Sequence, residues 1–361
     1  MTKRCVIIAF VSNWRLNRGG IIDIWQCQAI AHRKNTELNS EYVGGGSAAI
    51  VIVNYYSAHL LRRTLQCVRD QKVQPQQVIV VNNGDEPGAL DFLPQDYPGC
   101  ILFEQKNLGF AAANNLAMGQ SQKCRWVVLL NPDAFPNPDW LQNLIHSASL
   151  NPSVDVFSSH LVMAGNTQLI DGDGDQYHFS GLAWRLNHGR PIEERRSTGT
   201  AFSPCAAAAM YSREALAAVG GFDESFFCYF EDVDLGFRLR LKGYQCLHVS
   251  DAVASHVGGS SSSSPELSDF ALYYGHRNLV WTFVKNMPGY LFWLFLPVHL
   301  TMNIVTIFWF AFRGKGRVIV RAKIDALKRL PEVWAQRQQI QATRKISPTE
   351  LLKVLSFWPR R

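Results

Sequence analysis

The sequence has few features that would cross-link or secrete the protein. Its eight cysteines are scattered and contain no CxxC pair. Disulfide frameworks and zinc sites rely on regularly or closely spaced cysteines, so neither is expected, and the pattern favours reduced thiols in a cytosolic protein. The start, MTKRCVIIAFV, has only a minimal apolar run with no clean small-residue cleavage site after it. A signal peptide is therefore poorly supported.

Charged residues make up only 18% of the 361 residues, and they are unevenly distributed. The net charge is +7, but residues 313–361 contain thirteen Lys or Arg and three acids, so the rest of the chain is slightly acidic. A basic tail of this kind binds either nucleic acid or an anionic membrane, and the segment before it decides between them. The hydrophobic content of 47% is typical of a globular protein with a sizeable core.

The first 46 residues show no sustained helix or strand pattern, and GGGS at 44–47 resembles a joint. We therefore expect residues 1–46 to be a poorly ordered N-terminal extension.

From Ala48 onward, short apolar runs alternate with helical patterns. AAIVIVNYY, QQVIVVNN, ILFEQKN and RWVVLL are typical of strands, while HLLRRTLQCVRDQ and GFAAANNLAMGQS are typical of helices. This β-α-β order with nearly all-apolar strands predicts an α/β fold, with a mostly parallel sheet and helices on both faces.

Polar residues follow each predicted strand: Asn54-Tyr55, Asn82 to Asp85, Asn107 to Gly109, and Asn131 to Asp133. Any one of these is most simply a solvated turn. Because parallel strands end at one edge of a sheet, the series together indicates a ligand crevice. Asp133 follows a buried strand, which is a natural way to present a carboxylate to a divalent cation.

Three carboxylates, Glu231, Asp232 and Asp234, lie within four residues directly after an aromatic run. Crowded carboxylates beside apolar rings are poorly hydrated, so at least one is expected to have a perturbed pKa. The alternation of apolar residues from Val233 to Leu241 is typical of a strand. Acids at the start, bases at the end and Gly243 after them favour a helix, which is our prediction.

Other polar segments carry less information. Asp171 to Asp175 (DGDGD) imitates a metal-binding loop but lacks the later glycine and acid of a calcium loop, so we interpret it as a turn. Ser260 to Ser264 has the composition of a flexible loop, suited to a lid or a plain linker. Trp184 to Arg196 has no readable period.

The motifs VNNGD, NLGFAAANN, LLNPDA, FDESFFCYFEDVDL and SHVGGSS occur in this order. The sequence resembles the family 2 inverting glycosyltransferases, and in particular bacterial rhamnosyltransferase-like members, over about residues 48–317. The resemblance implies a GT-A fold, in which a Rossmann-like nucleotide half and an acceptor half share one sheet. We place the catalytic domain at 47–264 and a C-terminal helical, membrane-associating region at 265–361. By position, Trp184 to Arg196 should border the acceptor groove.

The resemblance also implies roles for nucleotide-binding residues. Asn82 stands where the family has a base-reading Asp, which leaves the manner of base recognition open because an amide both donates and accepts hydrogen bonds. The residues implied to bind the nucleotide are Asn54, Tyr55, Asn82, Asn107, Gly109, Asn115 and Asn131.

Metal and base residues follow in the same way. Asn131 and Asp133 match the DxD motif, so the resemblance makes Asp133 the primary ligand of Mg²⁺ or Mn²⁺ and His256 its partner. A lone His at a strand end is more often only a polar terminus, and without the family pattern His256 would not be assigned. Asp232 matches the general base, with Glu231 supporting it.

The expected reaction moves a sugar from a nucleoside diphosphate to a hydroxyl of a lipid-linked or cell-surface glycan. The cation neutralises charge on the departing phosphate, and a carboxylate takes the acceptor proton. The resemblance suggests rhamnose, from dTDP-rhamnose. A sugar-phosphate nucleotidyltransferase would need a glycine-rich basic loop after the first strand, which Asn54 to Ser57 is not. A catalytically degenerate binding module is the remaining alternative, favoured by amides at Asn82 and Asn131.

Gly289 to Phe312 is a 24-residue stretch without formal charge, long enough to cross a bilayer. A transmembrane helix, an interfacial or re-entrant helix pair, and a buried helix of a soluble domain all fit. An apolar, aromatic segment followed by clustered Lys and Arg favours an anionic membrane surface over nucleic acid. We therefore expect the protein in the cytoplasm, on the cytoplasmic face of the inner membrane.

Overall fold

The computed structural model describes residues 47–84, 87–121, 123–258 and 268–357. The predictions for residues 1–46 and for the loop from Ser260 to Ser264 lie outside these residues.

The described strands include all those that the apolar runs predict. In chain order they are β1 (Ala48–Asn54), β2 (Gln77–Asn83), β3 (Ile101–Gln105), β4 (Trp126–Leu130), β5 (Ala134–Pro136), β6 (Val156–Met163), β7 (Asn166–Gly172), β8 (Asp175–Tyr177), β9 (Ala183–Arg185), β10 (Gly199–Ala201), β11 (Ala208–Ser212) and β12 (Cys246–His256).

The described α-helices surround the sheet and continue beyond it. They are α1 (Ala58–Arg69), α2 (Leu93–Asp96), α3 (Phe110–Gln120), α4 (Trp140–Leu150), α5 (Arg213–Val219), α6 (Glu231–Leu241), α7 (Asp269–Asn286), α8 (Gly289–Phe312), α9 (Gly316–Lys328), α10 (Leu330–Ala342) and α11 (Pro348–Leu352).

The main sheet has the strand order β10-β12-β6-β11-β4-β1-β2-β3, with β5 paired to β12 and β7 paired to β6. Strands β4, β1, β2 and β3 are parallel, as predicted. Strand β11 lies antiparallel between β4 and β6, and β12 lies parallel to β6. Strands β8 and β9 form a separate antiparallel hairpin.

Alternating side chains of β1 point to opposite faces of the sheet and are buried on both. Ile50 and Ile52 pack in a cluster with Leu61 of α1 and Leu144 of α4. Val51 and Val53 pack in a second cluster that includes side chains of α3, α5 and α6. Both faces are therefore covered by helices, which explains why the strand sequences are almost continuously apolar.

The helix predicted from the charge pattern at Glu231 is confirmed as α6. Lys242 caps its C-terminus, and Gly243 follows with a φ of +92°, a conformation that glycine adopts readily. Ten of its eleven residues are buried. A helix covered on all sides does not need a single apolar face, and this is why its apolar residues alternate as in a strand.

The C-terminal helices form a third apolar cluster with the β8–β9 hairpin and α6. Helix α8 is one unbroken helix that contains Pro297. The re-entrant helix pair suggested for this segment is therefore wrong. Only 28% of its most apolar 18-residue window is buried, so the alternative of a core helix is also wrong. By length and composition α8 is long and apolar enough to cross a membrane.

Candidate active site

A cleft of about 440 Å³ opens where the parallel strands end. One wall comes from the strand ends and the loops after them, and the other from the N-terminus of α6 and the β8–β9 hairpin. Lining residues that bear on function are Tyr55, Asn83, Asn107, Gly109, Asn131, Asp175, Trp184, Arg185, Glu231 and Asp232.

Asp232 and Glu231 stand together in this cleft but have different environments. Burial raises the pKa of Glu231 well above its ordinary value, and Asp232 beside it raises the pKa further. Burial also raises the pKa of Asp232, but the backbone N–H groups of Ala206 and Val233 donate to its carboxylate at 3.3 and 2.8 Å and oppose the rise. Glu231 therefore has the stronger tendency to remain protonated, and Asp232 is the better candidate for a charged base.

Asp175 faces the same cleft from the β8–β9 hairpin. Burial raises its pKa well above the ordinary value, and the neighbouring Asp232 raises it further. Two carboxyl groups that share a cleft do not both ionise readily, so their proton affinities separate. Asp175 is therefore expected to carry a proton and to donate a hydrogen bond, leaving the charge on Asp232.

The loop over residues 226–230 precedes α6 and lines the cleft. Three of its non-glycine residues have positive φ: Phe227 at 67°, Tyr229 at 64° and Phe230 at 68°. Such conformations cost about 1–2 kcal/mol each. The side-chain amide nitrogen of Asn278 in α7 lies within hydrogen-bonding distance of three loop carbonyls, those of Phe226, Cys228 and Tyr229, at 3.0, 2.9 and 2.7 Å, so its two N–H groups are shared among them. Helix α7 thus holds the strained loop in place.

Gly109 allows the other wall to approach this loop. Its φ is +94°, and a Cβ at this position would lie 2.5 Å from the carbonyl oxygen of Phe227. Only a residue without a side chain fits, so the turn before α3 can lie directly against the loop.

A buried ion-pair cluster joins α6 to α7. Nζ of Lys285 lies 2.6 Å from Asp223 and 2.9 Å from Asp234, and Nε of Arg238 lies 2.7 Å from Asp234. Asn286 donates at 2.7 Å to Oδ1 of Asp234, the oxygen that Lys285 also contacts. The orientation of α6, and with it of the carboxylates at its N-terminus, is therefore set partly by a helix beyond residue 265.

The cleft is connected to the two predicted metal ligands. Nε2 of His256 lies 3.4 Å from Asp133, and its Nδ1 lies 2.8 Å from Asp171. Arg185, which lines the cleft, lies 2.5 Å from the same oxygen of Asp171. Burial alone would lower the pKa of His256, but hydrogen bonds to Asp133 and Asp171 raise it above its ordinary value. The structure thus brings Asp133 and His256 together beside the cleft.

The predicted nucleotide residues divide into three groups. Tyr55, Asn107, Gly109 and Asn131 line the cleft. Asn54 and Asn82 are buried at the strand ends and hydrogen-bond each other at 3.3 Å. Asn115 lies elsewhere, where its amide bonds the backbone of Phe222 and ties α3 to the turn before α6.

Sequence reasoning missed three residues at or beside the cleft, Asn83, Asp171 and Asp175, whereas Arg185 lies in the segment Trp184 to Arg196 that was expected to border the acceptor groove. Asn83 faces the cleft because side chains alternate along β2, and it hydrogen-bonds Asn107 at 3.2 Å. A bend does occur at Asp173-Gly174, as predicted, but setting the DGDGD carboxylates aside was wrong. All three are buried, because β7 and the β8–β9 hairpin fold over the sheet edge. The available signal was the run of three carboxylates within five residues.

Comparisons with known proteins agree with this geometry. Residues 49–220 match the model of glycosyl transferase family 2. The chain is 27% identical over 252 residues to N-acetylglucosaminyl-diphospho-decaprenol L-rhamnosyltransferase of Mycobacterium tuberculosis, an alignment that covers 62% of this chain and 80% of that protein. It is 24% identical over 236 residues to chondroitin synthase of Escherichia coli, covering 58% of this chain and 34% of that enzyme.

Solved structures give the same fold. GalNAc-T7 with UDP, GalNAc and Mn²⁺ superposes with a TM-score of 0.53 at 15% identity, over 68% of this chain and 48% of that one. The mannosyltransferase PcManGT of Pyrobaculum calidifontis, with GDP-Man and Mn²⁺, superposes with a TM-score of 0.50 at 17% identity, over 85% of this chain and 79% of that one. Residues 49–220 therefore form a glycosyl transferase family 2 domain, and the described residues have the GT-A fold of these solved glycosyltransferases.

Proposed function

We propose that the protein is an inverting glycosyltransferase that moves a sugar from a nucleoside diphosphate to a hydroxyl of a lipid-linked or cell-surface glycan. In this reaction Asp232 takes the proton of the acceptor hydroxyl as the hydroxyl attacks the anomeric carbon. Inversion follows when attack occurs on the face opposite the departing diphosphate.

The observation that carries the proposal is the pairing of Asp232 with the strand-end cleft. Its carboxylate keeps two backbone donors, while Glu231 and Asp175 beside it have pKa values raised well above ordinary. One charged carboxylate among neutral ones suits a single proton acceptor. Arg185 on the same wall supplies positive charge where a diphosphate would lie.

A divalent cation fits beside Asp133. Nε2 of His256 and the Asp133 carboxylate face each other at 3.4 Å, and Asp171 holds the other imidazole nitrogen. A carboxylate behind a histidine is the usual arrangement that orients a metal-ligating imidazole. Asp133 and His256 would hold the ion, and Asn131 lies within the cleft next to them. The chemistry that such an ion supplies is neutralisation of charge on the departing diphosphate.

Rhamnose from dTDP-rhamnose is the donor that we propose to test first. Support comes from the name of the mycobacterial relative, an L-rhamnosyltransferase for a diphospho-decaprenol-linked sugar. Tyr55, Asn83 and Asn107 on the strand-end wall would contact the nucleotide, with Asn54 and Asn82 supporting them from the buried layer.

Isosteric variants test the base. Asp232→Asn should lower kcat by about two to four orders of magnitude while calorimetric binding of the nucleotide sugar is retained. Glu231→Gln is the matched control: it removes a neighbouring carboxyl that is already neutral, and it should cost less than about tenfold. Donors are screened beforehand by thermal shift with Mn²⁺.

Equal turnover by Asp232→Asn and the wild type would remove Asp232 as the base. If neither protein hydrolyses or transfers any of the screened nucleotide sugars, although both bind one, the chain is a glycan- or nucleotide-binding module.

We also propose that α8 and α9 attach the enzyme to an anionic membrane surface, with α8 lying along it. His299 near the middle of α8 is buried, stacks on Phe283 and hydrogen-bonds the backbone of Ser180 at 2.7 Å. One side of the helix is thus held by the catalytic half. The opposite side exposes large apolar side chains: Trp293, Leu294, Leu300, Ile304, Val305, Phe308, Trp309 and Phe312. Arg317, Arg321 and Lys328 of α9 line a surface depression together with Asp325, so its lining carries more positive than negative charge, which suits lipid phosphates.

Vesicle sedimentation tests this attachment. The protein should sediment with vesicles that contain anionic lipid and less with neutral ones, and Trp293→Glu with Phe308→Glu should abolish the difference. Leu150→Glu is the control, because Leu150 is a 67% exposed leucine at the end of α4. Equal sedimentation of the double variant and the control would contradict the proposed surface.

A further inference from the structure

Three buried side chains outside the cleft face one another: His160 of β6, Asp173 in the bend between β7 and β8, and His248 of β12. Each is fully buried, and one nitrogen or oxygen from each lies within 4.8 Å of the others. Buried ionisable groups of this kind are retained only where partners satisfy them. Shared protons or a bound cation can supply such partners.

The two oxygens of Asp173 have different partners. Oδ2 accepts hydrogen bonds from the side-chain amide of Asn187 at 2.8 Å and from the backbone N–H of Arg196 at 3.1 Å. Oδ1 is left facing both imidazoles, with Nδ1 of His160 at 2.5 Å and Nε2 of His248 at 3.6 Å. Asp173 is thus oriented by two donors and presents a single oxygen to the two rings, as a metal-ligating carboxylate is.

A proton shared by His160 and Asp173 accounts for the contact between these two side chains, but it leaves the contact between Asp173 and His248 unexplained. By distance and angle, neither ring nitrogen of His248 has a hydrogen-bond partner among the described residues, although the backbone of Arg196 lies near the ring, and Nε2 of His160 has none either. A buried polar group without a partner is unfavourable.

We propose that His160, Asp173 and His248 bind a structural divalent cation of the zinc class, at a site separate from Asp133 and His256. Two imidazoles and one carboxylate are a common zinc ligand set, whereas Mg²⁺ prefers oxygen ligands. The 3.6 Å between His248 and Asp173 is close to the edge of about 3.4 Å expected for a tetrahedron with bonds of about 2.1 Å. The ion displaces the proton shared by His160 and Asp173, and their contact lengthens by about 1 Å.

Such an ion would fasten three parts of the fold at one point. Asp173 lies between Asp171, which contacts His256, and Asp175, which lines the cleft. Fixing the bend therefore fixes both carboxylates relative to β6 and β12. The site deepens the proposed function without depending on it, because its test reads metal content and not sugar transfer.

Metal content measured by mass spectrometry tests the site. The full-length protein is loaded with Zn²⁺, dialysed against metal-free buffer, and compared with two variants. Wild type and Asp133→Asn, which removes the carboxylate of the other site, should each retain about one zinc per chain. His248→Gln should retain less than about a tenth of that. With Co²⁺ as the probe, the visible absorption of a low-symmetry imidazole site should appear in wild type and Asp133→Asn only.

Folding of the variants is checked by circular dichroism. If His248→Gln does not fold, Asp173→Asn replaces it, since it keeps the shape of the side chain and removes the anionic ligand. Zinc retention by the folded ligand variant equal to that of wild type would overturn the proposal. So would a wild type that retains no more zinc than the folded ligand variant.

Discussion

The substitution Lys285→Met tests whether α7 supports the catalytic helix through buried charge. The Lys285 side chain is 1% exposed and its ammonium contacts Asp223 at 2.6 Å and Asp234 at 2.9 Å. Methionine keeps most of the aliphatic volume and removes the cation. Removing one partner of a buried ion pair costs about 3–5 kcal/mol. Asp234 keeps Arg238 at 2.7 Å and Asp223 is 13% exposed, so we expect the lower end, about 3 kcal/mol.

Urea unfolding followed by circular dichroism measures this loss at pH 7. Lys315→Met is the matched control: its ammonium also lies 2.7 Å from a carboxylate, that of Asp269, but 34% and 59% of the two side chains are exposed. A surface pair of this kind contributes less than about 1 kcal/mol. A Lys285→Met loss no greater than that of the control would refute the argument that burial makes this pair important.

The same pair predicts a pH dependence. Burial alone would raise the pKa of Asp223, but Lys285 holds that pKa below its ordinary value. A carboxyl with a depressed pKa in the folded state contributes stability above its unfolded pKa, and this contribution is lost as the pH falls through the folded value. Wild type should therefore lose stability on acidification below about pH 4, and Lys285→Met should lose less over the same range.

Three further predictions concern other residues. Asn278→Ala removes the amide that holds loop 226–230, so it should lower kcat by up to about 10²-fold in steady-state assays. Calorimetric binding of the nucleotide sugar should be nearly unchanged. An unaltered kcat would contradict the positioning role of Asn278. Asp175→Asn keeps a hydrogen-bond donor in place of a protonated carboxyl, so its kcat should stay within about tenfold of the wild-type value. A fall in kcat as large as that of Asp232→Asn would mean that Asp175 acts as a charged base. Burial lowers the pKa of Lys323 to about 7, so between about pH 7 and 10 the unfolded chain binds more protons than the folded one, and the free energy of unfolding should rise with pH. Urea unfolding of Lys323→Met should show a smaller rise. An identical rise would contradict the lowered pKa of Lys323.

Local patterns were sufficient for the nucleotide half of the fold. The apolar runs at β1, β2 and β4 are each buried by helices on both faces, so their composition alone indicates a parallel sheet. Helix α6 required one further step, because its apolar alternation imitates a strand. The charge gradient from Glu231 to Lys242 resolved the ambiguity, since it reflects the helix dipole and not burial.

The rest depends on contacts between distant segments, which no local pattern encodes. Asp175 and Arg185 reach the cleft because the β8–β9 hairpin folds over the sheet edge, and nothing in a short window indicates that fold. The choice between Asn82 and Asn83 depends on the register of β2, where a shift of one residue reverses the face. Lys285 was a further legible signal that went unused, because a lysine within the apolar run VWTFVKN needs a buried partner.

The contacts between Asn278 and loop 226–230 determine where this enzyme can be joined to a related protein in a chimera. A chimera joined near residue 264 would place loop 226–230 of one protein against the α7 helix of another. The three loop carbonyls that Asn278 contacts would then face whatever residue the other protein has at that position. A junction placed after Asn286 keeps the loop and α7 from the same protein. Chimeras that differ only in the helices after α7 then become possible.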